Sequence, residues 1–141
     1  WSTTVDDIAA GNPYPLWRAP GNATHALQWE YVDHCLHLVD CATEYAGGNP
    51  EAAQLATTAS SMLQPALHSC QFWWASRRPM WDAPMIHRGF SLLNNVLLYA
   101  AHSLQAGGAP ALVKREARWR VAAANDLRTR LERELFLEPG V

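Results

Sequence analysis

Gly47-Gly48-Asn49-Pro50-Glu51 decides how this chain is read. Two glycines stop a helix. Asn49 can then accept a hydrogen bond from the first free backbone N–H groups of a new one. Pro50 has the φ that the first helical position wants, and Glu51 puts a negative charge against the positive end of the helix dipole. Five residues are too few for anything but a tight reversal, so the helices on either side must lie antiparallel.

Working back from that turn, Leu27, Tyr31, His34, Leu38, Cys41 and Tyr45 fall within roughly 40° of one line at 100° per residue. The pattern predicts a first helix over about 24–46. Working forward, a second helix runs from 50 to about 75, with Pro65 expected to kink or break it. Residues 76–81 read as a loop and Asp82 as the cap of a third helix through about 106. Its apolar stripe is Ile86, Phe90, Leu93, Leu97, Ala101 and Leu104, and Gly107-Gly108 ends it. Pro110 opens a fourth helix to about 136, with Leu112, Trp119, Ala123, Leu127 and Leu131 expected inward. Residues 1–23 contain Gly11, Pro13, Pro15, Pro20 and Gly21, which no regular helix tolerates, and read as an extended Pro-rich arm. The fold expected is all-α: an antiparallel four-helix bundle over 24–141, preceded by that arm, with no strand and no internal repeat.

The totals suit this. A chain of 141 residues with 49% apolar and 17% charged residues is one globular domain with enough length for a core. A net charge of −2 gives no global pull toward nucleic acid or anionic lipid. The charge is uneven, however. Residues 114–134 carry seven Lys/Arg and four acids, a net +3 that leaves −5 for the rest. Pairs four apart (Glu116/Arg120, Arg128/Glu132, Arg130/Glu134) read as a solvated helix face, not a nucleic-acid surface. No apolar run approaches the ~18 residues that a membrane span needs. Three Cys (35, 41 and 70) have neither disulfide-framework nor zinc-knuckle spacing, and reduced thiols in a cytoplasmic protein are expected. Asn22-Ala23-Thr24 matches a glycosylation acceptor, a tripeptide common by chance. A chain that starts on Trp1, not Met, is expected to be processed or part of something longer.

The unusual stretch is His68-Ser69-Cys70-Gln71-Phe72-Trp73-Trp74-Ala75-Ser76, followed by Arg77, Arg78, Pro79 and Trp81. Three indoles within nine residues, beside a His, a Gln and two Arg, are what a site for a flat hydroxylated ligand requires. The duller reading has the rings plugging one end of the bundle. On the first helix, Glu30, His34, His37 and Cys41 share a face at spacings of four, three and four, as metal ligands in bundles do. Yet the repeated Glu-x-x-His of di-metal bundles is missing, and interior histidines are the better reading; no metal or cofactor is expected. Glycosidic hydrolysis needs two carboxyl groups about 5 to 9.5 Å apart. No acid pair flanks the aromatic stretch, so this chain alone is not expected to be an enzyme.

Tyr14-Pro15-Leu16-Trp17-Arg18-Ala19-Pro20-Gly21-Asn22-Ala23-Thr24-His25-Ala26-Leu27-Gln28-Trp29 resembles a segment of glycoside hydrolase family 57 and related α-amylase/α-mannosidase-like enzymes. There it enters the helical region that follows the catalytic barrel. The stretch from Leu63 to Ser76 resembles a later helix of that region, with Gln71 where the family motif has Asp. The resemblance implies a non-catalytic helical domain packed on a catalytic barrel that carries both carboxylates. It implies Trp17, Trp73 and Trp74 as sugar-subsite aromatics, and His68 and Gln71 as polar contacts. Arg77 and Trp81 complete the expected glycan wall. The residues themselves leave two rivals open: a helical protein-interaction or dimerisation module, since Trp and Arg also dominate interface hot spots, and a metal-binding bundle. A homodimer is compatible with each.

Overall fold

A computed structural model describes residues 21–67, 75 and 82–137, together with Asp6 and Ala9. Four helices account for nearly all of them: α1 (Ala23–Tyr45), α2 (Pro50–Ala66), α3 (Ala83–Ala106) and α4 (Ala111–Leu137). They form an antiparallel four-helix bundle, and no strand occurs among the described residues.

Each of the first three helices begins on a side-chain cap. Asn22 Oδ1 accepts from His25 N, Asn49 Oδ1 from Ala52 N and Asp82 Oδ1 from Met85 N, each at 3.0 Å. These satisfy N–H groups that no helical carbonyl can reach. Both asparagines are used twice. Asn22 Nδ2 donates to the Ala75 carbonyl at 2.6 Å, and Asn49 Nδ2 to the Ala106 carbonyl at 2.9 Å. Asp82 has no amide to spare and, among the described residues, serves as a cap.

The turn at 46–49 contains Gly48 at φ 85, a left-handed conformation that a Cβ resists. Gly107 is needed for a different reason. A Cβ there would lie 3.2 Å from each of Ala52 Cβ, Ser103 O and Tyr45 O, so three helix ends converge on it. Ser103 Oγ adds a bond to Ala52 O at 2.7 Å. This end of the bundle is stitched at close range.

The core is built around α3, which packs against all three other helices, while α2 and α4 flank it on opposite sides and scarcely meet. Ile86, Phe90, Leu93, Leu97, Ala101 and Leu104 are all buried, as their spacing predicts. Tyr31 meets Phe90 edge-on at 5.1 Å and its hydroxyl donates to Asn94 Oδ1. On α2 only Ala52, Ala56, Ala59 and Ala66 are buried, and such small side chains let two helix backbones approach closely.

Four expectations need correction. The second helix ends at Ala66, not near 75, one residue after Pro65. Proline has no N–H for the Ser61 carbonyl, and the helix closes just after it, at Leu67, whose N–H donates to the Leu63 carbonyl at 2.9 Å. On α1 the buried face is centred on Tyr31, Cys35, Leu38 and Ala42, so His34, Cys41 and Tyr45 sit at its edge. On α4 the inward stripe is Ala117, Ala124, Leu127 and Leu131, whereas Leu112 is 77% and Trp119 61% exposed. Within residues 1–23, Asp6 and Ala9 are helical, against the extended arm expected there. Among the described residues no helix is long and apolar enough to cross a membrane.

Candidate functional site

Trp17, His68, Gln71, Trp73, Trp74, Arg77 and Trp81, the residues expected to line a glycan site, lie outside the described residues. What is described is the floor to which their segment is tied. Ala75, between Trp74 and Ser76, is buried, and its carbonyl is the atom that Asn22 Nδ2 holds. Beside that bond, at the first turns of α1, Thr24, His25 and Gln28 are buried with Asn22. Thr24 and Gln28 stand seven and three residues before Tyr31, where the core stripe of α1 would carry apolar side chains. Four buried polar groups at one helix start are expensive unless they are partnered. His25 and Gln28 do make further interactions.

The same geometry settles the glycosylation tripeptide. The atom that would be modified is Asn22 Nδ2, and it is buried and already donating.

A second cluster spans the seam between α1 and α4. Arg120 donates to His34 Nδ1 at 3.1 Å and to Glu116 Oε1 at 3.3 Å, and His37 Nε2 lies 3.3 Å from the same carboxylate oxygen. The His34 ring meets Trp119 edge-on at 6.0 Å, and the Arg120 guanidinium is 5.8 Å from the centre of that indole. A guanidinium can only donate, so His34 Nδ1 must accept and its proton sits on Nε2. Desolvation first, and then the Arg120 charge, lower the His34 pKa below the usual value.

These contacts bear on the metal reading of Glu30, His34, His37 and Cys41. A cation in place of a metal faces His34, and Glu116 binds His37. Among the described residues no three His, Cys, Asp or Glu side chains converge as a metal site needs. The two described cysteines are similarly quiet. Cys35 donates to the Leu93 carbonyl at 3.3 Å, and burial pushes its thiol up to about 12. Burial, and then Glu116, also raise the Cys41 thiol. Neither is a ready nucleophile at neutral pH.

Sequence reasoning missed the buried polar start of α1 and the exposure of Trp119. The first was readable as Thr24 and Gln28 occupying core register. The second had no clear signal, because Ala117 and Ala124 mark the true inward face weakly. No protein family matches this chain, and no curated protein or solved structure does either.

Proposed function

We propose that this chain is a non-catalytic helical domain of a carbohydrate-active protein of the glycoside hydrolase family 57 type. In this reading the bundle end that carries the start of α1 and the segment 68–81 contributes aromatic and polar side chains to a glycan site. A catalytic barrel of the parent protein supplies the carboxylates. The observation that carries the reading is the hydrogen bond from Asn22 Nδ2 to the Ala75 carbonyl. It joins one residue from each of the two stretches on which the resemblance rests, 53 positions apart in the chain. The buried Asn22, Thr24, His25 and Gln28 at that end support it further. Polar groups held in fixed positions beside aromatics are what orient a hydroxylated ligand.

Stacking on one aromatic face is worth about 1 kcal/mol beyond area burial, so a few rings without the barrel give binding on the order of millimolar. Titrating the purified chain with maltooligosaccharides while following Trp fluorescence tests this. Saturation in the millimolar range with no turnover is expected. Hydrolysis by the chain alone, micromolar affinity, or a flat response up to roughly a hundred millimolar each counts against the reading.

A further inference from the structure

We propose that the exposed face formed by α1 and α4 is a two-fold interface between two copies of this chain. The face runs along the side of the bundle and does not depend on the glycan reading.

On α1, Glu30, Asp33, His37, Asp40 and Glu44 follow spacings of three, four, three and four, which keep them on one stripe. The four acids are exposed. On α4, Leu112, Arg115, Trp119, Asp126, Arg130 and Arg133 follow three, four, seven, four and three, and all six are exposed. Neither the four α1 acids nor Arg115, Arg130 and Arg133 has an ion pair among the described residues. An acidic stripe therefore lies beside a largely basic one, with an indole 61% exposed between them. An exposed Trp flanked by arginines is the composition of an interface hot spot, not of a solvated helix.

The arrangement fits a second copy in particular. A symmetric dimer needs a self-complementary patch, in which residue i meets residue j and j meets i. α1 and α4 are antiparallel neighbours. A two-fold axis parallel to the helices, lying in the face, sets each α1 antiparallel across the partner's α4. Each acidic stripe then faces the partner's α4. Levels also match. His37 pairs with Glu116 and His34 with Arg120 inside one chain, so Asp40 lies close to the level of Arg115, and Asp33 and His37 to that of Trp119. Rotation about that axis preserves level. Asp40 thus approaches the partner's Arg115, and the two Trp119 side chains fill the middle.

Sedimentation of the purified chain with complementary charge reversals tests the proposal. One variant carries Asp40→Arg, the other Arg115→Asp. Both positions are solvent-facing, and circular dichroism checks that helicity is kept. The native chain is expected to dimerise, less so at about 1 M salt, where charges are screened beyond about 3 Å. Each variant alone places like charges in contact and shifts the dimerisation midpoint by about tenfold or more. Mixing the two restores the dimer, because both contacts are again of opposite sign. A native chain that is monomeric at about 100 μM, variants that dimerise as well as the native chain, or a mixture that stays monomeric each overturns the proposal.

Discussion

Asn22 shows how much one side chain can carry. Its oxygen caps α1 and its nitrogen holds Ala75, so substitutions separate the two duties. Asn22→Ala loses both and is expected to cost about 1–3 kcal/mol in chemical denaturation, a cap plus a buried hydrogen bond. Asn22→Asp keeps the capping oxygen but sets a carboxylate against a carbonyl. At neutral pH it should therefore be no better tolerated, and it should recover as the carboxylate is protonated. If Asn22→Asp matches the native stability at pH 7, the bond to Ala75 contributes nothing. Asn49 offers the control at the opposite end, with the same double use and Ala106 as the second partner.

At the scale of elements, the α1–α4 seam depends on the charge state of His34. The neutral imidazole accepts from Arg120, and protonation would remove the acceptor and set two cations together. A histidine whose pKa is lowered on folding contributes stability above the ordinary value of 6.5. That contribution is lost as pH falls through the lower, folded value. Titration of the imidazole by NMR should give a His34 midpoint below 6.5, and Arg120→Gln should move it upward. A native midpoint at or above that of an ordinary histidine would show that the contact does not form in solution. The same seam explains which parts of the bundle could be read in advance. α3 was legible because its inward positions are large aliphatic or aromatic residues at strict helical spacing. α4 was legible only at Leu127 and Leu131, because the rest of its inward face relies on Ala117 and Ala124. Alanine is too weakly apolar to outvote Trp119 and Leu112, and it suits the inside for its small size rather than its hydrophobicity.

For the whole molecule, the asymmetry of packing matters more than the helix count. α3 touches every other helix and α2 never closes a square with α4. Amide exchange should accordingly be slowest over residues 93–100, where the Leu93, Val96, Leu97 and Ala100 side chains are fully buried, and faster along α4. Exchange as slow in α4 as in α3 would argue for a symmetric bundle. The candidate site was less legible than the fold. Its expected aromatic residues rest on composition alone and lie outside the described residues. The tie that anchors their segment needed an asparagine amide to reach a carbonyl 53 positions away, which no local pattern announces.

Pro65 has an effect that reaches beyond its own turn. α2 starts level with the end of α3, as the Asn49–Ala106 bond requires, yet it has 17 residues against 24. The deficit of seven residues is about 10 Å of helix at 1.5 Å per residue. Over that distance the opening turns of α3 lose α2 as a neighbour. Where one proline stops its helix thus decides how much of the next helix is left for other parts of the chain to cover.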